Sequence, residues 1–363
     1  MNYILTTIGL SSLTNGLREV LSVGEIYKYS NMSENDIDKE FKSKFDIEFE
    51  KLKESLSSKN NEELKRLSAE INALFHFYKN GFLSKDFHKL LITDTYLGKK
   101  SAEIVEEVLK LKGISNISIY SPQDLKTSDI ESFHLSLSEI VKDLSEELEG
   151  YKSSGYKVIF NLTGGFKSVN SFMQSMASLW ADETIYIFES SKELLTIPRL
   201  PLKVDEDIFK EKIEVFRYLE DGLNVDENEL KNIPKSLIIK ISDEYTLSPW
   251  GEIVWQKVKR DIFKNLINYK IIEYSNEFKK DFEKLNDNEK FQINKMLDLL
   301  DKYKFSGEEK FNLHSLRYHS LSGEIASKYG FEFYPFDGND SRRAFCNEKD
   351  GKVIIEKIDA HLK

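Results

Sequence analysis

The first two hundred residues alternate short apolar runs with longer amphipathic stretches, and this alternation restricts the fold more than any other feature. Apolar runs at 2–9, 89–95 and 156–162 predict strands, and the stretches between them predict helices. Strands separated by helices of this length indicate βαβ units and a mainly parallel sheet, which is the α/β class. In such sheets, ligands bind beyond the carboxyl ends of the strands.

One predicted strand, YKVIF, runs directly into a glycine-rich turn, NLTGGFKS, at residues 161–168. Glycine permits close backbone approach, and the N-terminus of the following helix offers N–H groups to an anion. The side chains of the turn add polar donors and one positive charge: Asn161, Thr163, Gly164, Gly165, Lys167 and Ser168. The spacing fits neither a nucleotide-hydrolysing P-loop nor a dinucleotide fingerprint. The turn therefore predicts a phosphate site without hydrolysis machinery, and the alternative is an ordinary loop.

Two other predicted strands end in similar chemistry. The loop after the first strand and the loop after the second supply hydroxyl, amide and glycine groups: Ser11, Ser12 and Asn15, then Thr93, Thr95 and Gly98. Parallel strands place these loops at one edge of the sheet, so together the three loops favour a phosphate or nucleotide ligand.

The turn NLTGGFKS, with ITDTYLGKKSAE before it and YIFESSKELLTIPRLP after it, closely resembles the CARF domain, the CRISPR-associated Rossmann-fold sensor. The resemblance covers residues 1–203 and implies a Rossmann-like domain. It also implies a homodimer that binds cyclic oligoadenylate, with cyclic tetra-adenylate favoured, and no cofactor. A two-fold dimer presents each loop twice, which suits a ring of approximate symmetry. The residues of the three loops would line the site. Some CARF proteins slowly cleave their ligand, and Ser11 with Lys167 would support that.

Residues 204–267 predict a helix, a short helix at 226–234, a hairpin and a helix that Pro249 opens. This order is typical of a small winged-helix-like element, and a helical connector is the alternative. Acidic residues outnumber basic ones in this stretch, which argues against a DNA-reading face.

Residues 268–363 predict a compact α+β domain with an antiparallel sheet. A strand and two helices precede three closely spaced strands, and Asp-Gly pairs at 337–338 and 350–351 are typical of hairpin turns. The segment also concentrates histidine and arginine: His314, His319, His361, Arg317, Arg342 and Arg343. No metal-ligand spacing links the histidines. Histidine and arginine without metal suit RNA cleavage by the 2′-hydroxyl, which needs a base, an acid and a cation for the phosphate. The alternative is that these are ordinary surface residues.

The stretch NLHSLRYHSLSG, with the three strands that follow it, resembles the RelE/YoeB-type mRNA interferase toxins. By this resemblance, Arg343 would bind the phosphate, His361 would be the acid, and Arg317 would be the basic residue before the Leu-Ser-Gly turn. His314 falls where such toxins often have a carboxylate base, so the identity of the base stays open, and Arg342 or His319 would share the task.

Charge and composition are consistent with a cytoplasmic effector. The net charge is −10, but residues 268–363 contain 17 basic and 18 acidic residues, so RNA contact is expected there. The chain has one cysteine and no apolar run long enough for a membrane span. The two resemblances together imply a cyclic-oligoadenylate-activated, ribosome-dependent endoribonuclease that cleaves mRNA at the ribosomal A site in type III CRISPR defence. The alternatives are a ligand-gated transcription regulator that uses the winged-helix-like element and a ribosome-independent nuclease of single-stranded RNA.

Overall fold

The computed structural model describes residues 1–79, 81–126, 129–187, 193–312, 315–336 and 340–360. The chain forms two compact units. Unit 1 contains Met1–Lys203 and Ser248–Ile253, and unit 2 contains Val204–Leu247 and Val254–Lys363. This partition does not decide the predicted boundary between residues 267 and 268, which stays a prediction.

Unit 1 contains a six-stranded sheet in which five strands are parallel. The strands are β1 (Asn2–Thr7), β2 (Phe87–Leu91), β3 (Ile117–Tyr120), β4 (Lys157–Asn161), β5 (Glu183–Ile187) and β6 (Leu194–Pro198). Their order is β3-β2-β1-β4-β5-β6, and β6 is antiparallel to β5. The prediction of a mainly parallel sheet is confirmed. The strand order reverses between β1 and β4, and this crevice is where sheets of this kind bind ligands.

The helices of unit 1 cover both faces of this sheet. They are α1 (Ser11–Gly16), α2 (Val23–Lys28), α3 (Lys39–Ser55), α4 (Asn61–Leu67), α5 (Ala69–Tyr78), α6 (Tyr96–Leu111), α7 (Ile130–Ser153) and α8 (Lys167–Trp180). Ile4 and Ile159 point into a core with α1–α6, whereas Leu5 and Phe160 point into a second core with α7 and α8. Neighbouring residues of a strand face opposite sides, so burial on both faces explains the continuous apolar runs of the sequence.

Unit 2 contains helices, a hairpin and a second sheet. Its elements are α9 (Asp207–Glu211), α10 (Ile213–Glu220), β7 (Ile238–Ile241), β8 (Glu244–Leu247), most of α11 (Pro249–Ile262), β9 (Ile272–Tyr274), α12 (Asn276–Lys284), α13 (Asp287–Ser306), β10 (His319–Ser320), β11 (Phe331–Phe333), β12 (Arg342–Lys349) and β13 (Lys352–Ala360). The mixed α/β class is therefore confirmed for the described chain.

The second sheet has the order β10-β11-β12-β13-β9 and is antiparallel except for the parallel pair β13 and β9. The strands β12 and β13 form the hairpin that the Asp-Gly pair predicts. Asp350 and Gly351 both have positive φ, +52° and +77°, which is the backbone of a tight hairpin turn. The other predicted Asp-Gly turn, at 337–338, lies outside the described residues.

The stretch 204–247 differs from its prediction in one element. Residues 226–234 form turns instead of a short helix. The Asp226 carboxylate accepts hydrogen bonds from the backbone and side-chain amides of Asn228, and this local contact competes with a helix. The hairpin of β7 and β8 is present, and both residues of its turn, Ser242 and Asp243, have positive φ. None of the helices in the described ranges is long and apolar enough to cross a membrane.

Candidate functional site

In unit 1, the loop after β1 and the Gly-Gly turn after β4 meet at the crevice between these strands. A Cβ on Gly9 would lie 2.7 Å from the backbone nitrogen of Gly165, so the two loops are in close contact. Gly165 has a φ of +103°, a conformation that side chains rarely adopt. The two glycines are thus required by backbone approach and by the turn itself.

The Gly-Gly turn is held from both sides by hydrogen bonds. The carbonyl oxygen of Gly164 accepts bonds of 2.7 Å from Thr7 Oγ1 and from Asn170 Nδ2. Asn170 also donates to the carbonyl oxygen of Leu162 at 3.1 Å. These hydrogen bonds therefore hold the backbone of the turn in one conformation directly before α8.

Helix α8 begins directly after this turn, and its first residues are exposed. Its N-cap residue is Phe166, and no side chain of the described residues caps this N-terminus. Lys167 and Ser168 are exposed, and the Lys167 ammonium has no ion-pair partner in the described part of the chain. Among the described residues of unit 1, uncapped N–H groups beside a cation without an ion pair make this end of α8 the most suitable place for a phosphate.

A buried carboxylate, absent from the predicted site, lies on the other side of the crevice. Glu70, in the first turn of α5, is 1% exposed. Its Oε1 accepts a 2.6 Å hydrogen bond from the Gly9 backbone nitrogen, and its Oε2 accepts a 2.8 Å bond from Ser11 Oγ. A Cβ on Gly164 would lie 1.9 Å from Oε1. The sequence shows no signal for this role, because Glu70 lies in a helix far from both loops along the chain.

The remaining predicted residues of the turn make internal contacts. Asn161 is buried, and its Nδ2 donates to the carbonyl oxygen of Glu70 at 3.2 Å. The Thr163 hydroxyl accepts a 3.2 Å bond from the Ile187 backbone nitrogen. These side chains shape the turn, and direct ligand contact by them stays a prediction.

The predicted residues after β2 act locally in the structure. Thr95 caps α6 through a 3.1 Å bond from the Gly98 nitrogen to Thr95 Oγ1. Thr93 Oγ1 lies 3.0 Å from Thr95 Oγ1, and both residues are buried. Capping and packing thus account for these three residues in the described structure.

Ser12 and Asn15, the other two predicted residues of the loop after β1, do not contact Glu70 in the way that Ser11 does. Ser12 is buried, and its hydroxyl has no hydrogen-bond partner among the described residues. Asn15 is exposed, and its Nδ2 donates to the backbone oxygens of Arg66 and Leu67. Ser11 is the member of this group that reaches the crevice.

In unit 2, Arg343 on β12 is the arginine best placed to receive a phosphate. Its Nη1 donates only to the backbone oxygens of Asp340 and Arg342, and its Nε has no partner in the described structure. The guanidinium carbon lies 3.6 Å from the ring centre of Tyr334. The buried Nε is closed to solvent, so an anion would meet the Nη groups. The guanidinium forms no ion pair with a described carboxylate, although its charge helps to lower the pKa of Asp340.

Tyr334 brings a second predicted residue to the same place. Arg317, whose φ is +49°, lies with its guanidinium carbon 5.1 Å from the Tyr334 ring centre. Two cations thus share one aromatic ring beyond the end of β11. Tyr334 is not among the residues predicted from the sequence, although it lies within a predicted strand and between Arg317 and Arg342 along the chain.

Arg342, also a candidate from the sequence, is tied to carboxylates. It forms ion pairs of 2.7 Å with Glu289 and with Asp340. Its hydrogen bonds lower the pKa of Asp340, which keeps that carboxylate charged. These contacts give Arg342 a structural role in the described chain.

Of the three candidate histidines, the structure describes His319 and not the other two. His319 is hydrogen-bonded through Nδ1 to the Arg317 backbone oxygen at 2.7 Å, and its Nε2 lies 3.3 Å from the buried Glu332 carboxylate. His314 and His361, the predicted base and acid, lie outside the described residues. Arg343 on β12 pairs with Asp359 on β13. Asp359 precedes His361 by two residues along the chain.

The comparisons with known proteins concern unit 1. A model of the family "CRISPR-associated protein (Cas_APE2256)" matches residues 65–200. The match supports a CRISPR association. It includes Glu70, the Gly-Gly turn and Lys167, and it ends before the candidate residues of unit 2. A search of curated proteins found no match to the chain.

Proposed function

We propose that this protein is a CRISPR ancillary effector of type III systems, in which unit 1 binds cyclic oligoadenylate and unit 2 cleaves mRNA on the ribosome. The ligand, with cyclic tetra-adenylate favoured, binds a homodimer and activates the nuclease. The cut occurs at the ribosomal A site and arrests translation.

The observation that carries this proposal is the meeting of the β1 loop and the Gly-Gly turn at the crevice of the parallel sheet, inside the stretch that matches a CRISPR-associated family. Lys167, which is exposed and forms no ion pair with a described residue, supplies positive charge at the N-terminus of α8. A cyclic oligonucleotide carries one phosphate per nucleotide, and a two-fold dimer would present two such helix ends to it.

The residues of unit 2 support 2′-hydroxyl transesterification. A base removes the proton of the 2′-hydroxyl, whose oxygen attacks the adjacent phosphorus, and the bond to the 5′-oxygen breaks. Arg343 and Arg317, which share the Tyr334 ring, would stabilise the added negative charge. His361 would give its proton to the leaving 5′-oxygen. His314 or His319 would be the base.

In vitro translation with each cyclic oligoadenylate added in turn tests the sensor and the effector together. We expect one ring size to stop translation and to produce mRNA cut in the A-site codon. Naked RNA and programmed ribosomes, compared at the same ligand concentration, separate this function from a ribosome-independent nuclease.

The contacts of two basic residues in the 204–267 stretch argue against the alternative of a transcription regulator. Arg217 and Lys259 are buried in ion pairs with Asp298 and Glu220. They cannot contact DNA phosphates from these positions. A gel shift with promoter DNA, with and without ligand, would detect such an activity.

Lys167→Ala is expected to weaken ligand binding by about tenfold or more per site, because a charge-assisted contact to phosphate contributes about 1.5–3 kcal/mol. Calorimetry with cyclic oligoadenylate measures the affinity. Lys157→Ala is a matched control, because that exposed lysine is paired with Glu183 at the start of β4, the opposite end of the strand from the turn. Equal affinity of the Lys167 variant and the wild type would remove Lys167 from the site.

The chemical step of RNA cleavage is expected to need no metal ion, so EDTA should have no effect beyond its disturbance of the ribosome, and the products should carry 2′,3′-cyclic phosphate and 5′-hydroxyl ends. The reason is that arginine and histidine supply the charge and the protons that the reaction needs. End-group analysis of isolated RNA products is the measurement, because chelators also disturb ribosomes. Products with 5′-phosphate ends and without 2′,3′-cyclic phosphate would contradict this mechanism.

A further inference from the structure

Glu70 is an unusual residue to find beside a phosphate site, because its side chain is an acid. Its carboxylate is almost completely buried, and it has no ion-pair partner among the described residues. Buried carboxylates are normally paired with a cation, because the loss of hydration is costly. Here two hydrogen bonds and the first turn of α5 compensate the charge.

The donors that Glu70 uses are those that an incoming phosphate would need. The Gly9 N–H and the Ser11 O–H both point to its carboxylate oxygens, at 2.6 and 2.8 Å. The Ser11 oxygen also accepts a 3.2 Å bond from the Ala69 nitrogen. The β1 loop therefore already binds an anion, and that anion belongs to the protein.

The position of Glu70 leaves no room for a second anion in the same place. The carboxylate lies so close to Gly164 that even a methyl group on that residue would overlap it. A phosphate at the β1 loop would have to displace a buried side chain or lie against a like charge at close range, which is strongly unfavourable. Helix α5, which carries Glu70, packs in the core on one face of the sheet, and α8 packs in the core on the other face. At the N-terminus of α8, no described carboxylate is paired with Lys167.

We infer that Glu70 determines the specificity of the ligand site by confining phosphates to the α8 side, so that an uncharged sugar or base faces the β1 loop. A ligand whose phosphates are separated by nucleosides fits this charge distribution. A compact polyphosphate, which would place adjacent charges on both loops, does not. This inference rests on the proposed ligand site and adds the reason for its preference for an oligonucleotide.

The test measures binding of pyrophosphate, adenosine and cyclic tetra-adenylate to full-length wild type, Glu70→Gln and Glu40→Gln by calorimetry. Glu40 is a matched control, because it also lies in the first turn of a helix, α3, but is exposed. For Glu70→Gln we expect about a tenfold gain in pyrophosphate affinity, which is about 1.4 kcal/mol. The gain should shrink as salt rises, because charge repulsion is screened. Adenosine binding should be unchanged in all three proteins.

A further Ser11→Ala substitution in the Glu70→Gln protein should return pyrophosphate affinity to the wild-type value, which places the gained anion at the β1 loop. Equal pyrophosphate affinity of the wild type and Glu70→Gln would overturn the inference. If Glu70→Gln does not fold, Glu70→Asp decides. That variant keeps the charge and should reject pyrophosphate as the wild type does, and a gain in its affinity would overturn the inference.

This experiment distinguishes failure of the proposed sensor function from failure of the proposed role of Glu70. If the wild type does not bind cyclic tetra-adenylate or its ring-size relatives, the proposed sensor function fails whatever the pyrophosphate result. If it binds the ring but Glu70→Gln gains no pyrophosphate affinity, the sensor function stands and the role of Glu70 is lost.

Discussion

Arg343→Ala is expected to slow mRNA cleavage on ribosomes by roughly a hundredfold or more, since loss of one charge-stabilising group costs about 3 kcal/mol in the transition state. The guanidinium of Arg343 contacts only backbone oxygens and the Tyr334 ring in the described structure. In the proposed reaction it would not first have to break an ion pair with a described residue. Single-turnover cleavage at saturating ligand measures the effect.

Arg342→Ala is the matched control, because Arg342 is the adjacent residue of the same strand. It is paired with Glu289 and Asp340, so its loss should lower stability by about 1 kcal/mol or less and leave the cleavage rate near that of the wild type. A rate loss in Arg342→Ala equal to that in Arg343→Ala would mean that the strand, and not the Arg343 guanidinium, is what the reaction needs.

The same experiment includes His361→Ala, for which we expect a loss of about 10²–10⁴-fold, the usual contribution of a general acid. A guanidinium stays charged and cannot take this role, whereas imidazole exchanges its proton near neutral pH. Both variants should bind cyclic oligoadenylate as the wild type does. If both cut mRNA at the wild-type rate, the reaction centre is not at this end of the sheet, and the proposed interferase activity of unit 2 loses its main support.

The fold of unit 1 follows from the sequence because its signals are local and repeated. Apolar runs, amphipathic stretches and the Gly-Gly turn each specify their own element, and parallel pairing then brings the strand ends to one edge. The hairpin at Asp350 and Gly351 is predicted for the same reason, since the turn residues themselves require the backbone that is observed.

The candidate sites depend on tertiary contacts, and here the sequence is less informative. Glu70 reaches Gly9 and Ser11 from a helix about sixty residues away along the chain, and nothing in its local sequence distinguishes it from a surface glutamate. The reverse holds for Thr95 and Gly98, whose composition resembles a binding loop but whose contacts cap a helix. Arg342 and Arg343 are neighbours of the same type, and only their partners separate a structural residue from an available one.

The interior of unit 2 holds a second feature that no sequence pattern revealed, a network of buried charges between α10, α11 and α13. Arg217 on α10 donates to Asp298 at 2.5 Å and to Asp301 at 2.7 Å on α13, and all three residues are buried. Lys302 and Lys259 pair with Asp298 and Glu220 in the same interior. This network fixes the stretch predicted as a connector to the helices of the predicted nuclease domain.

Arg217→Ala is therefore expected to lower the free energy of unfolding of unit 2 by about 3–5 kcal/mol, because it leaves buried carboxylates without their partner. Arg217→Lys should lose less, since it keeps the charge but cannot bridge both carboxylates. Lys210→Ala, which removes only an exposed ion pair with Glu206, should change stability by less than about 1 kcal/mol. Urea unfolding and amide hydrogen exchange in α10 and α13 measure the three variants.

The loss of folding stability at low pH is an independent test of the same buried network. Burial opposes the charge of Asp298, but Lys302 and Arg217 hold its pKa below the usual range. A carboxylate with a lowered pKa stabilises the folded state above its unfolded pKa, and this contribution is lost as the pH falls through the folded pKa. Without Arg217 that folded pKa rises, so Arg217→Ala should begin to unfold at a higher pH than the wild type. If its urea and acid transitions both match those of Lys210→Ala, the buried network does not hold unit 2 together. Residues 204–267 would then be free to act as the separate connector that the sequence predicts.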